Sequence, residues 1–123
     1  MWNQSEEPNY LCSELVSVLY EDKMNHTRST VANLERISAT SATLLTDEPL
    51  EPGDAISFAA KGFDLYGRVE SVDADQTLGY FTKIELDRNS RWHGRMFVPE
   101  HFLALCVSTR PNHSAELPLS CTP

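Results

Sequence analysis

"RSTVANLERISATSATLLTDEPLEPGDAISF", residues 28–58, reads as three extended segments separated by two reversals. In 28–38, Ala32 and Leu34 alternate with Asn33 and Glu35, the period of two that a half-buried strand requires. The period breaks at Arg36 and Ile37, which predicts a bulge or bend there. The β-branched and hydroxyl-bearing residues of 41–46 sit better on a pleated surface than in a helix. "DEPLEPGD", residues 47–54, is a turn, because its prolines fix φ and Gly53 can take a positive one. Residues 55–60 resume a strand with Ile56 and Phe58 on one face.

Working outward, residues 10–20 alternate Val16, Val18 and Tyr20 with Ser17 and Leu19, a second strand pattern. "EDKMNH" (21–26) is a polar turn before the central stretch. "KGFD" (61–64) suits a tight hairpin around Gly62. Residues 65–72 place Leu65, Gly67 and Val69 on one face, and a glycine inside a strand predicts a close backbone approach or a barrel bend. After the turn "DADQTL", residues 79–86 alternate Tyr80, Thr82, Ile84 and Leu86 with Phe81, Lys83 and Glu85. Residues 87–95 form a polar loop carrying Trp92. Residues 98–107, "VPEHFLALCV", predict a short helix: Pro99 suits its first turn, and Phe102, Leu105 and Cys106 share one helical face. About six short strands divided by turn residues favour an antiparallel barrel or sandwich.

At 123 residues the chain suits one domain. We expect a flexible acidic lead-in at 1–9, a folded domain at 10–108 and a disordered, Pro- and Ser-rich tail at 109–123. No apolar run approaches the roughly 20 residues of a membrane helix. The first residues lack the basic-then-apolar layout of a secretion signal, so the cytoplasm is the expected location and membrane insertion is not expected. Three cysteines, Cys12, Cys106 and Cys121, argue against a disulfide framework. The formal net charge is −8, from 18 acidic and 10 basic residues, which disfavours nucleic-acid polymers as partners. The first 22 residues carry five acids and no Lys or Arg.

No enzyme signature is present. His26, His93, His101 and His113 are not at metal-ligand spacing, and neither a nucleophile elbow nor a phosphate-cradling glycine loop occurs. A flavin-using split barrel would need a cofactor constellation that the chain does not display. We therefore expect no catalytic residues, no metal and no cofactor. Arg91 and Arg95, with Trp92 and His93 between them, form an R-x-x-x-R pattern able to hold a phosphate by charge and a ring by stacking.

The order of these segments resembles the PilZ domain, a bacterial receptor module for cyclic di-GMP. The resemblance runs from about Cys12 to Cys106. It rests on "RISATS" (36–41) in the place of the family's Asp/Asn-x-Ser-x-x-Gly motif, on "PLEPGDAISF", on "YGRVESV…LGYFTKIEL", and on "RW…FVPEHF" at the end. It implies an all-β fold, a six-stranded antiparallel β-barrel of the PilZ-like split type with one short C-terminal helix. Ser38 matches the motif serine. Arg36 stands where Asp or Asn is expected, and Ser41 where Gly is expected. The family's first motif, R-x-x-x-R before the first strand, has no counterpart. Losing each such charged hydrogen-bond partner removes roughly 1.5–3 kcal/mol. The expected function is thus a non-enzymatic signalling or adaptor module of cyclic di-GMP pathways, with its own ligand binding weak or lost, acting through protein–protein contacts as a monomer or weak dimer. The alternative is a genuine cyclic di-GMP receptor that uses rearranged groups: Arg28, Arg36, Ser38, Ser41, Arg91 and Arg95.

Overall fold

A computed structural model describes residues 8–105. They form seven strands: β1 (Asn9–Glu21), β2 (Thr27–Ile37), β3 (Ser41–Thr46), β4 (Ala55–Ala60), β5 (Phe63–Asp75), β6 (Gly79–Leu86) and β7 (Leu103–Leu105). Pairing runs β2–β3–β6–β5–β4–β1, and β1 also pairs with β2, so six antiparallel strands close into a barrel. Closure satisfies the backbone groups that an open sheet would leave unpaired.

The alternation read in the sequence is what fills the barrel. Val16, Val18, Ala32, Leu34, Ala42, Leu44, Ile56, Phe58, Leu65, Val69, Ile84 and Leu86 are buried. Leu50, from the proline-rich turn, is buried at the upper end, and Trp92 and Phe97 are buried at the lower end. The upper end carries the connections 22–26, 47–54 and 76–78. The lower end carries the turns 38–40 and 61–62 and the segment 87–102.

Two turns show their chemistry directly. Lys61 and Gly62 both have positive φ, 52° and 84°, the two-residue hairpin geometry that matches strand twist. The bulge in β2 lies one residue earlier than expected: the register against β3 shifts between Leu34 and Arg36. The extra residue rephases the strand, so Ile37 returns to the core and Arg36 points to solvent.

The helix expected over 98–107 is not found. Among the described residues there is no helix, and thus none long and apolar enough to cross a membrane. Glu100 and His101 form a turn, and Leu103–Leu105 forms β7 on β1. Cys106 and Val107 lie outside the described residues, as do 1–7 of the lead-in and all of the tail expected at 109–123. Asn9, assigned to the lead-in from sequence, opens β1. The reason for β7 is on β1. On β1, strand β4 covers only residues 17–20 and leaves residues 9–11 open on that side. Strand β7 covers them, which meets backbone hydrogen-bonding demand that a helix could not. The turn before β7 is fastened as well. Ser13 N donates to Glu100 O (3.0 Å), Glu100 N to Glu14 Oε1 (2.8 Å), and Lys61 Nζ to Glu100 Oε2 (2.7 Å). The Lys61 hydrogen bond holds the Glu100 carboxyl below its ordinary range.

Candidate functional site

The turn between β2 and β3, where the sequence placed the ligand motif, is closed by its own serines. Ser38 is 2% exposed. Its Oγ accepts from Ser41 N (3.1 Å) and Thr40 N (3.3 Å) and lies 3.0 Å from Ser41 Oγ, while Ser38 N donates to Ser41 O (2.8 Å). A hydroxyl used this way is a local turn-former, the usual competitor of a ligand for serine. Ser38→Ala is therefore expected to cost about 0.5–1.5 kcal/mol, because it strips the acceptor from two partly buried amide donors. Urea denaturation measures this, and an unchanged midpoint would remove the structural role assigned to Ser38.

The end of β6 and the loop after it cross beneath this turn. Leu86 N donates to Thr40 O (2.8 Å) and Trp92 N to Ala39 O (3.1 Å). On its other side the loop reaches β5, where Tyr66 N donates to Ser90 Oγ (2.8 Å) and Asp87 N to Tyr66 O (2.9 Å). Trp92 is buried rather than offered to a ligand. Its ring meets Tyr10 edge-on with centroids 5.7 Å apart, packs near Phe97 and Phe102, and donates Nε1 to Phe97 O (3.1 Å). Trp92 thus provides no stacking surface for the R-x-x-x-R pattern, because the indole plugs the lower end of the barrel.

The arginines divide into two groups. Arg36, at the end of β2, and Arg91 and Arg95, in the loop, are exposed, at the same lower end as the buried Ser38 and the half-buried Ser41. Arg88 joins them there, a residue that sequence reasoning passed over. Among the described residues none of these four guanidiniums has a carboxylate within ion-pair distance. Arg28 is elsewhere. Eight residues of extended β2 put it about 26 Å from Arg36, at the upper end, with Nε 3.6 Å from Asp22 Oδ2. One ligand of nucleotide size cannot engage both Arg28 and Arg36 side by side.

The upper end has a different character. An open cleft of about 510 Å³ is lined by Asp47, Asp75, Gln76, Thr77, Leu78 and Tyr80 among others. The Asp75 carboxylate accepts from Thr77 N and Leu78 N, both 2.9 Å, and these bonds hold its pKa below the ordinary value. Its charge is thus spent on the turn it caps. Within the wall, Cys12 donates Sγ–H to Leu34 O (3.5 Å), and burial, with Glu14 and Glu35 nearby, pushes its thiol up to about 12. A thiol so protonated is no nucleophile at neutral pH.

A further feature went unread in the sequence. Leu15, Leu19 and Val31 stand in the phase opposite to the core residues and face solvent. The signal was present, since Leu19 alternates with Val18 and Tyr20. A leucine in the outward phase of a strand is a surface leucine.

No family model matches this chain, and no curated protein or solved structure is found to match it.

Proposed function

We propose that this barrel is a PilZ-like, non-enzymatic adaptor whose own binding of cyclic di-GMP is weak or lost and whose work is protein–protein contact. The observation that carries the reading is the turn at 38–41. Its one motif serine is buried and bonded within the turn, and the indole beside it faces inward. The serine hydroxyl and the indole face that a nucleotide would use are thereby occupied. The outer wall of β1 and β2, by contrast, exposes aliphatic side chains to solvent. Exposed apolar area of this kind marks contact surfaces. The PilZ-like form of the barrel and its place in bacterial signalling belong to this proposal. They are supported by the strand order and the turn sequences rather than by any match to a known protein.

Isothermal calorimetry of the full chain with cyclic di-GMP tests it. The expected result is no saturable heat at micromolar ligand. A dissociation constant in the micromolar range or tighter overturns the reading. That outcome would favour the second reading, a genuine receptor, for which one observation speaks: the four lower-end arginines are exposed, and among the described residues none has a carboxylate within ion-pair distance. Arg36→Ala with Arg91→Ala would then weaken binding clearly, whereas Arg28→Ala would not.

A further inference from the structure

Nine of the chain's ten Lys and Arg residues lie among the described residues. Lys23, Arg28, Lys61 and Lys83 each face a carboxylate, and Arg68 donates to Gly53 O (2.9 Å). The four with no partner among the described residues are Arg36, Arg88, Arg91 and Arg95, and all four are exposed at the lower end. Segments 36–41 and 87–95 carry these four arginines and a single acid, Asp87, in a chain of net charge −8. The backbone beneath the guanidiniums is fixed. Arg36 lies in β2, paired with Leu11 and Thr43. On either side of Arg88, Asp87 N donates to Tyr66 O and Ser90 N to Asp87 O, both 2.9 Å. Trp92 N holds the chain beside Arg91 against Ala39 O (3.1 Å), and the turn bearing Arg95 is closed by Met96 N donating to His93 O (2.9 Å). Donors presented on a fixed frame lose less freedom on binding.

We propose that this end docks an acidic segment of a partner protein, guanidinium to carboxylate. The inference deepens the adaptor reading above and rests on it for a protein rather than a nucleotide as partner. Charge selects an acidic occupant, and the chemistry around the arginines selects carboxylates over a phosphate polymer. Phosphate sites add backbone N–H groups to their cations. Here Thr40 N and Ser41 N are taken by Ser38 Oγ, and the Trp92 ring is buried rather than open to a base. A duplex, with one charge per roughly 1.7 Å, runs on past the patch onto the acidic remainder of the surface, whereas a short run of Asp and Glu ends within it. Guanidiniums take carboxylates in a bidentate fork, and Arg is enriched where proteins meet. An apolar shoulder adjoins the patch. Val98, three residues beyond Arg95, is 51% exposed. Phe63, whose ring centroid lies 6.0 Å from that of Phe97, is 40% exposed. A segment with one apolar side chain beside its acids thus fits this end better than a plain polyacid. Its ion pairs are solvent-exposed, so the docking is weak and salt loosens it further.

Fluorescence anisotropy of a short labelled peptide, Asp and Glu around one central Leu, tests this on the full chain. The expected result is saturable binding that added salt weakens. Arg91→Glu with Arg95→Glu should weaken it at least about tenfold, with circular dichroism showing a folded variant. Lys23→Glu with Arg28→Glu is the control. It changes the net charge equally but at the upper end, far beyond the screening length, and is expected to bind within about twofold of the parent. No saturable binding at millimolar peptide overturns the inference, as does equal weakening by both pairs. An oligonucleotide of equal charge that binds more tightly than the peptide overturns it as well. So does binding that emerges only in Glu6→Gln with Glu7→Gln, which would make the chain's own acids, just before β1 opens at this end, the occupant. Failure of the peptide leaves the adaptor reading in place with the outer wall as its surface. Micromolar cyclic di-GMP binding in the calorimeter removes the adaptor reading, whichever way the peptide behaves.

Discussion

Replacing Trp92 with alanine is expected to lower the free energy of unfolding by about 3–5 kcal/mol. The indole is only 4% exposed and lies between Tyr10 of β1, Phe97 and Phe102, so it joins the first strand to the chain that follows the last barrel strand. Its removal leaves a cavity at the lower end and an unpaired Phe97 carbonyl, which now accepts from Nε1. Set against a typical domain stability of about 5–15 kcal/mol, this is a large share. Tyr10 and Phe102 stack at 4.8 Å and flank the β1–β7 pairing, so β7 should loosen first. Urea denaturation gives the loss, and amide exchange at residues 103–105 gives its location. A loss below about 1 kcal/mol, the range of an exposed substitution, would contradict the placement of Trp92 in the core.

Gly67→Ala is the second large effect. A Cβ at this position of β5 would collide with the Glu85 carbonyl oxygen and come within 2.9 Å of Ile84 Cγ2 on the neighbouring strand. Ile84 can turn, but Glu85 O belongs to the backbone of β6 and moves only if the β5–β6 pairing opens. The cost is expected at the upper end of the about 1–3 kcal/mol typical of overpacking. Gly94→Ala is the matched control, because nothing lies within 4 Å of its Cβ position. Thermal melts of the two variants should differ by several degrees. Equal melting temperatures would contradict the strand separation at Gly67.

These two positions also show what could be read in advance. Gly67 in a strand pattern pointed to close approach, and that reading holds because only backbone proximity demands a missing side chain there. Strands β3, β4 and β6 match the sequence segments at both ends, since alternation and flanking turn residues act locally. The expected helix failed because its cause is not local. Pro99, Glu100 and the spacing of Phe102 and Leu105 all suit a helix. The open edge of β1 at residues 9–11 outweighs them, and that edge exists only once β4 is seen to stop short. The candidate site was legible as a set of residue types and not as an arrangement. Arg36, Ser38, Ser41, Arg91 and Arg95 do share one end of the barrel. The length of β2 separates Arg28 from them, and the depth at which Ser38 and Trp92 are buried depends on the loop that crosses beneath the turn.

Under the function proposed above, the lower end is a closed structural corner rather than a nucleotide receptor. An amide-resolved NMR titration of the full chain with cyclic di-GMP tests that most directly. The expected result is that the amides of Arg36, Ser38, Ser41 and Arg91 stay in place as ligand is raised through the micromolar range. Saturable shifts confined to those residues would contradict it.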